Sequence, residues 1–540
     1  MQNVERDLRV FRLYWHDEYH YTSSVPHSKI PLLVQQLRKK CAYLALGLFF
    51  LPHIVTLLST TQLLLTTQRL KTAAFAALGP VFSAAAPATR APSLELTLRA
   101  AVKNARTLNS FLPLTISGRT PLLALTTMLE YILVDSQAII TFLSQDTVRV
   151  HVWLQNTHEL RATGGFVGSY AELIFAQGKL QSLMIHDIYE PDGQFSGYRE
   201  APPGIRTYLA GKNGWRLPDA NWSPDFAQSV ADFNWFLQQT SIQAPDITLA
   251  VNLSTIEKML TITGPLYVSD FDQTVTSENF AQVARRNRDD FFPGDHQKSQ
   301  LLTLLFNQLK YRLQMLDLRT QLSIIGLLWH DLTTGEIQAH TDDAQMTAIL
   351  EKYQPESKSV LLQQPTATDP NTLLIFPIES NVGINKANAK TSRTLDLEVT
   401  DALAKITLSF ANDNQPPLPA NKPRNPDHHE ADHLAYVNYQ RLLLPEHAQI
   451  LTVQVGETLL EKWDQQVVRI GESYFLELGF LVVVPEQKNN SAVITVAMPT
   501  SIKTVQVIKQ SGIPPLILKS NLNGAENIDE IENYWLHIAH

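Results

Sequence analysis

An apolar run near the N-terminus constrains this 540-residue chain more than any other feature. The run covers residues 41–65, starting at Cys41, and a helix needs about 20 apolar residues to cross a bilayer. Three basic residues, Arg38, Lys39 and Lys40, directly precede it. The first 40 residues carry seven Lys and Arg, against two in residues 66–80, which places the N-terminus in the cytoplasm. The sequence therefore predicts a single-pass cell-membrane protein whose bulk is extracytoplasmic.

Other interpretations of the apolar segments stay open. A cleaved signal peptide normally begins within the first residues, whereas this apolar core starts about 40 residues into the chain. A buried helix of a soluble domain is the second alternative, because Pro52 and His53 interrupt the run, although lipid-embedded helices tolerate proline. A further span in residues 121–143 would place Glu130 and Asp135 in lipid.

Charge and cysteine content exclude several classes of protein. The 52 acidic residues exceed the 44 Lys and Arg, giving a formal net charge of −8, so nucleic acid is not an expected partner. The single cysteine excludes an intramolecular disulfide and cysteine-based zinc sites.

The length suggests about three or four domains, and the patterning changes several times along the chain. Alternating strand and helix patterns in the middle predict a mixed α/β core, and regularly spaced strand patterns after it predict a β-sandwich. In chain order we expect a cytoplasmic segment (1–40), a transmembrane helix (41–65), a helical stalk (66–147), the α/β core (148–385), the β-sandwich (386–522) and an acidic tail (523–540) that is a short helix or a frayed end.

The block NTHELRATGGFVGSY, Asn156–Tyr170, is the first candidate site. Asn156, Glu159 and Arg161 follow a strand-like run, and two consecutive glycines come next. Polar groups just beyond a core strand are where α/β folds usually bind ligands. The block has neither a dinucleotide fingerprint nor a phosphate-binding P-loop. A structural turn with an Arg–Glu pair is the alternative.

This block, together with IHDIYEPDGQF after it, resembles an uncharacterised bacterial membrane-anchored family, the domain of unknown function 4012 family. The resemblance spans roughly Val148 to Leu522 and implies an N-terminal anchor, but it names no activity. Further similar segments are NWSPDF (Asn221–Phe226), Ile247–Val268, TSENF (Thr276–Phe280), ESNVGINKANA (Glu379–Ala389) and Tyr436–Ile450.

The order of these blocks is also similar, more distantly, to that of the LytR-CpsA-Psr phosphotransferases, which move glycopolymers from polyprenyl pyrophosphate onto the cell wall. The resemblance implies a core of that fold and a polyprenyl-linked substrate. Phosphoryl transfer needs cations around the pyrophosphate and usually a metal, here Mg²⁺, held by carboxylates. The candidate residues are Asn156, Glu159, Arg161, Arg285, Arg286, Arg288 and Lys298 for the ligand, Arg161 and Asp187 for catalysis, and Asp187 and Asp192 for the metal.

The sequence departs from the phosphotransferase pattern at two places. Gly168-Ser169-Tyr170 lacks the acid that those enzymes carry after the first Arg, and Ile185-His186-Asp187 lacks their Arg. Two functions therefore remain open. One is an enzyme that binds polyprenyl pyrophosphate beside an apolar tunnel; the other is a non-enzymatic envelope protein with glycan or protein partners. The charges around Arg285 also fit a solvated helix end.

A second motif lies in the C-terminal half. His429-Glu430-Ala431-Asp432-His433 has the spacing of the H-E-x-x-H zinc motif, which requires both histidines on one helix face. The flanking segment is rich in Pro and Asn and does not favour a helix. Two interpretations stay open. One is adventitious metal binding by His428, His429 and His433, and the other is a solvated polar insertion.

Overall fold

The computed structural model describes residues 141–177, 179–210, 214–286, 297–353, 369–415, 434–471, 473–531 and 535–539, with the single positions 103, 106, 135, 138 and 139. The predicted cytoplasmic segment and transmembrane helix, most of the stalk, and the His429–His433 motif lie outside these residues. In the described ranges no helix is both long enough and apolar enough to cross a membrane.

Seven strands and eight helices are described in the α/β core. The strands are β1 (Val148–Arg161), β2 (Gly164–Ala176), β3 (Lys179–Asp187), β4 (Ile247–Asn252), β5 (Leu266–Val268), β6 (Gln273–Val275) and β7 (Ile337–Thr341). The helices are α1 (Tyr189–Asp192), α2 (Pro203–Tyr208), α3 (Phe226–Gln238), α4 (Leu253–Thr263), α5 (Phe280–Arg286), α6 (Gln297–Met315), α7 (Leu318–Thr334) and α8 (Ala344–Tyr353).

The core sheet has the strand order β3-β2-β1-β4-β7, while β5 and β6 form a separate pair. β1 pairs parallel with β4, and the remaining neighbours in the sheet pair antiparallel. Alternate side chains of β1 pack into two different hydrophobic clusters, because successive residues of a strand point to opposite faces of the sheet. Trp153 packs with Phe233 of α3, whereas Leu154 packs with residues of α4, α5 and α6. The mixed α/β core is thus confirmed.

Side-chain caps fix where two of these helices start. Asp225 accepts a hydrogen bond from the Ala227 amide at the start of α3, and Asp317 accepts one from the Thr320 amide at the start of α7. Aspartate is among the preferred N-cap residues because its carboxylate satisfies amides that lack helical partners. At the other end of α7, Gly335 adopts a positive φ of 77°, a common way to end a helix.

Two sheets form the C-terminal part of the chain. Their strands are β8 (Thr372–Asn381), β9 (Thr391–Thr400), β10 (Leu403–Asn412), β11 (Tyr436–Pro445), β12 (Gln449–Val455), β13 (Thr458–Leu459), β14 (Asp464–Ile470), β15 (Ser473–Val484), β16 (Lys488–Ala497), β17 (Thr504–Ile508), β18 (Leu516–Leu522), β19 (Ala525–Ile531) and β20 (Trp535–Ala539). The sheet orders are β13-β12-β16-β10-β9-β18-β19 and β14-β15-β11-β8-β17-β20.

One hydrophobic cluster joins the two sheets. It includes Leu395 and Ile494 from the first sheet and Leu442 and Leu478 from the second, each of them almost fully buried. The β-rich C-terminal region is thus confirmed. Its second sheet also contains β8, which precedes residue 386, because β8 pairs with β11 and β17 rather than with any strand of the core.

The acidic tail is not a helix. β19 pairs antiparallel with β18, and β20 pairs antiparallel with β17, so each of the two sheets gains an edge strand. The expectation of a short helix or frayed end was wrong because Ile531 reaches the buried interface between the sheets. The acidic residues Glu526 and Glu530 stay exposed, which suits an edge strand.

Buried hydrogen bonds join the C-terminal sheets to the end of β1. The Gln510 side-chain amide donates to the carbonyl of Arg161 at 2.8 Å and to that of Glu379 at 2.9 Å. A Cβ on Gly512, which has a φ of 80°, would lie 2.8 Å from the carbonyl oxygen of Gly164. The two parts of the chain therefore meet at the candidate site.

Candidate functional site

A wide bulge shapes the last residues of β1. Asn156 pairs with Phe166 and Leu160 pairs with Gly165, so the three residues between Asn156 and Leu160 have no register partner on β2. A bulge of this kind redirects side chains that would otherwise alternate along the strand. Here it leaves the Glu159 carboxylate 3.3 Å from Nη2 of Arg161, and only 3% of the Glu159 side chain is exposed.

Arg161 is buried, and all of its N–H groups are engaged. Nε and one N–H of Nη2 donate to Asp219, and the other N–H of Nη2 donates to Glu159. Nη1 donates to the carbonyl oxygens of Leu160 at 3.1 Å and Asn381 at 2.8 Å. A guanidinium has five N–H donors, so these five contacts use its full capacity.

Two cations flank the ring of Phe166. Cζ of Arg161 lies 5.4 Å from the ring centroid, and Nζ of Lys386 lies 5.6 Å from it. Both distances suit a cation–π interaction. The Lys386 ammonium also forms an ion pair with Glu159, which therefore links Lys386 to Arg161. Lys386 belongs to the C-terminal part of the chain, immediately before a 3₁₀ turn at Ala387–Lys390.

Next to this cluster is a cavity of about 100 Å³ between the core sheet and α4, α5 and α6. Its walls are mainly apolar and its mouth is polar. The wall residues are Leu154, Val251, Leu253, Ile256, Phe280, Ala281, Ala284 and Leu302. The rest of the lining, which includes the polar side chains and which we call the mouth, is formed by Gln155, Asn156, Phe166, Gly168, Ser169 and Lys386. The arrangement suits an apolar chain that carries a polar or anionic end.

The predicted ligand-binding residues fall into two groups. Asn156 lines the cavity mouth, while Glu159 and Arg161 form the buried ion cluster behind it. Arg285 and Arg286 occupy the last two positions of α5, and Lys298 is the second residue of α6. The structure describes the backbone of these three residues but not their side chains, and Arg288 lies outside the described residues.

The predicted Mg²⁺ ligands do not form a fitting set. Asp192 accepts hydrogen bonds from Nε of Arg216 and from the Leu217 amide, both at 3.0–3.1 Å. Asp187 accepts a hydrogen bond from the Tyr189 amide at 3.0 Å. A hard cation needs several oxygen ligands. In the described ranges no group of three or more His, Cys, Asp or Glu side chains is arranged to hold a metal ion. No step is therefore assigned to Mg²⁺.

Sequence reasoning did not identify Asp219 and Lys386 as site residues. Asp219 contacts Arg161 across 58 positions of sequence, and Lys386 contacts Glu159 across 227. Lys386 does lie within ESNVGINKANA, a block singled out by the family resemblance. The resemblance of that block could have indicated Lys386. Strand patterning could not, because it does not predict which loop contacts β1.

A second titratable cluster lies on the sheet face that carries Tyr170. Glu172 pairs with Arg149, and its carboxylate lies 3.5 Å from Nε2 of His151 and 3.9 Å from Nε2 of His186. The His151 ring and the Arg149 guanidinium beside the carboxylate lower the pKa of Glu172 to about 2. Burial lowers the pKa of His151 itself.

We expect this cluster to make stability depend on acid pH. Because the folded-state pKa of Glu172 lies below its ordinary value of 4.5, its contribution is present above about pH 4.5 and is lost as the pH falls towards 2. Urea unfolding of the full-length protein should show Glu172→Gln to be less stable than wild type at pH 7, with the difference shrinking below pH 4.5.

The matched control is Glu398→Gln, whose carboxylate pairs with Lys405 at 3.1 Å and is 62% exposed. It should change stability little at any pH, because exposed ion pairs contribute little. A Glu172→Gln difference that stays constant from pH 7 to pH 3 would contradict the assignment.

Comparison with known proteins gives a partial match. No curated protein has significant similarity to the sequence. Among solved structures, TagV from B. subtilis is similar with a TM-score of 0.23 and 12% identity, covering 39% of this chain and 80% of TagV. A Legionella pneumophila protein provisionally assigned to nutrient binding has a TM-score of 0.16 and 8% identity.

The Legionella likeness covers 24% of this chain and spans half the length of that protein. Both TM-scores are low, and neither likeness supports an inference about function. The family model described as "Protein of unknown function (DUF4012)" matches residues 145–288. That match confirms the family resemblance over β1 to the end of α5, the part of the core that contains the bulge and most of the cavity wall.

Proposed function

We propose that this protein is an envelope protein, anchored by residues 41–65 with its bulk outside the cytoplasm, that binds a polyprenyl-pyrophosphate-linked glycopolymer and transfers it to the cell wall. The observation that carries the proposal is the apolar cavity with a polar mouth that includes Lys386. An isoprenoid chain matches apolar walls, and a pyrophosphate matches a cation at the mouth. The distant phosphotransferase resemblance agrees with this ligand class.

The size of the cavity sets how much of a chain it holds. About 100 Å³ is smaller than the roughly 150 Å³ cavity that accommodates benzene. At most the first isoprene unit after the pyrophosphate therefore fits in it, and a longer chain requires the walls to separate. α4, α5 and α6 form one wall and the core sheet the other, so separation between these layers extends the cavity.

The transfer step would form one P–O bond and break another. An acceptor hydroxyl attacks the phosphorus that bears the glycan, its new P–O bond forms, and the bond to the polyprenyl phosphate breaks, so that polyprenyl phosphate leaves. Asp187 is the carboxylate we propose to accept the hydroxyl proton, since it is the register partner of Ser169 on the cavity rim. Arg161 acts as a positioning residue that fixes Glu159 and Phe166.

Binding without transfer is the second candidate, and one observation favours it. The five N–H donors of Arg161 already have protein partners, so this guanidinium has no donor left for a phosphate. Such a protein would hold or present an envelope glycan or protein. Release of polyprenyl phosphate from a lipid-linked glycopolymer distinguishes this candidate from the enzyme.

The binding proposal is tested by filling the cavity. Ala284 lies in the cavity wall, so Ala284→Trp should place an indole in the space for the chain. We expect at least about a tenfold loss of affinity for undecaprenol and undecaprenyl pyrophosphate, since each buried CH₂ contributes about 0.8 kcal/mol. The measurement is equilibrium binding to the full-length protein in detergent.

Gln282→Trp is the matched control. Gln282 is on the same helix, α5, but is exposed and is not part of the cavity wall. The control should bind both lipids as wild type does. Failure of the wild-type protein to bind either lipid, or equal binding by Ala284→Trp, would refute the proposed function.

A further inference from the structure

We propose that the C-terminal β-rich region supplies a residue of the lipid site, with Lys386 binding the pyrophosphate of the polyprenyl ligand. This inference rests on the proposed function. It assigns the headgroup contact to a residue outside the core and outside residues 145–288, the part matched by the family model. The α/β core would then be incomplete as a binding unit without the loop after β8.

Hydrogen-bond capacity distinguishes Lys386 from Arg161. Arg161 has all five of its donors engaged by protein groups, and its side chain is 2% exposed. Lys386 is 15% exposed and lines the cavity mouth. Among the described residues its hydrogen-bond partner is Glu159, which leaves two of three ammonium donors for a ligand.

The loop that carries Lys386 is fixed against the bulge of β1. The Asn388 side-chain carbonyl accepts a hydrogen bond from the Leu160 amide at 3.1 Å. The same oxygen accepts another from the Asn381 side-chain amide at 2.9 Å. Asn381 also donates to Asn385 of the loop. These contacts hold Lys386 at the mouth before any ligand arrives, which lowers the entropic cost of binding.

Backbone strain in this loop also supports the conclusion that the loop holds Lys386 at the mouth. Ile384 adopts a φ of 51°, in the left-handed region that β-branched residues rarely occupy. Strain of this kind persists only where the surrounding structure imposes it, and it concentrates at ligand-binding and functional sites. Ile384 lies two positions before Lys386, so the strained turn sets the path of the chain into the mouth.

The test compares two lipids that share the polyprenyl chain and differ in the pyrophosphate group. The full-length protein in detergent is titrated with undecaprenyl pyrophosphate and with undecaprenol. We expect Lys386→Gln to weaken pyrophosphate binding by about 10- to 100-fold, the effect of losing a charged hydrogen bond. Binding of undecaprenol should not change, because the apolar walls are intact. Lys386→Arg should retain most of the affinity for the pyrophosphate.

Lys390→Gln is the matched control, since Lys390 is an exposed lysine four positions further along and does not line the cavity. It should bind both lipids normally.

Wild-type pyrophosphate affinity in Lys386→Gln would overturn this inference and leave the proposed function intact if Ala284→Trp still blocks binding. Equal weakening of the binding of both lipids would also overturn it, because Lys386 would then stabilise the structure of the site and not contact the pyrophosphate. No binding by wild type would overturn both proposals.

Discussion

Replacing Arg161 with alanine is expected to lower the free energy of unfolding by about 3–5 kcal/mol, the cost of breaking a buried ion pair by removing one partner. The guanidinium lies between Glu159 at 3.3 Å and Asp219 at 3.0 Å, and the Glu159 side chain is 3% exposed. Without Arg161, Lys386 still pairs with Glu159, but Asp219 loses its charged partner in this cluster. The variant also loses the two bonds from Nη1 to backbone carbonyls.

The measurement is urea unfolding of the full-length protein followed by tryptophan fluorescence. Arg206→Ala is the matched control, because Arg206 pairs with Glu200 at 3.1 Å while both side chains are more than half exposed. Its effect should stay below about 1 kcal/mol. Equal unfolding curves for the two variants would show that the buried cluster does not stabilise the fold.

A double-mutant cycle then separates packing from charge. Arg161→Met keeps much of the apolar length of the side chain, and Asp219→Asn removes the carboxylate that receives two of its hydrogen bonds. Combining them should cost less than the sum of the two single changes, because each single change already abolishes the same ion pair.

Much of the secondary structure followed from local pattern. The sequence pattern predicts a strand at Ile247–Val251 and a helix at Ser254–Thr261. In the structure this strand ends at Asn252, and the helix extends from Leu253 to Thr263. In the C-terminal region the pattern also predicts a strand at Tyr474–Val484, which forms β15, Ser473–Val484. Periodicity and turn residues are local signals, so they locate such elements well.

The end of β1 was harder to predict. The sequence pattern predicts a strand at Val148–Leu154 and a Gly-rich turn at Gly164 and Gly165. In the structure β1 continues to Arg161, and both glycines belong to β2. Polar residues between Gln155 and Arg161 broke the alternation because a bulge redirects them into a buried network. Bulges depend on pairing with a distant strand, so a local pattern does not reveal them.

The candidate site was predicted only in part. The sequence pointed to Asn156, Glu159 and Arg161, and the structure brings these to one end of the sheet. It did not point to Asp219 or Lys386, whose proximity depends on the packing of separate parts of the chain. Charged residues at the end of a strand suggest a binding surface, but which of them are neutralised by buried partners depends on tertiary structure.

Gly165→Ala is expected to damage both the fold and the cavity mouth. A Cβ at this position would lie 2.3 Å from the carbonyl carbon of Asn156, 2.4 Å from its oxygen and 2.6 Å from the amide nitrogen of Thr157. All three are backbone atoms of the bulge, so no side-chain rotation relieves the overlap. Separating β1 from β2 there should cost about 1–3 kcal/mol or more, the usual range for overpacking.

Gly326→Ala is the matched control for this substitution. Gly326 lies inside α7, and a Cβ there would meet nothing within 4 Å apart from its chain neighbours and the backbone of its own helix, so alanine should be neutral or stabilise the helix by up to about 1 kcal/mol. The same shift of β1 would move Asn156 away from Ser169 and Lys386, which share the mouth with it. Gly165→Ala should therefore also weaken binding of undecaprenyl pyrophosphate, whereas Gly326→Ala should not. Wild-type stability and normal lipid binding in Gly165→Ala would contradict this prediction. Such a result would mean that displacing the backbone of the bulge does not alter the mouth of the cavity.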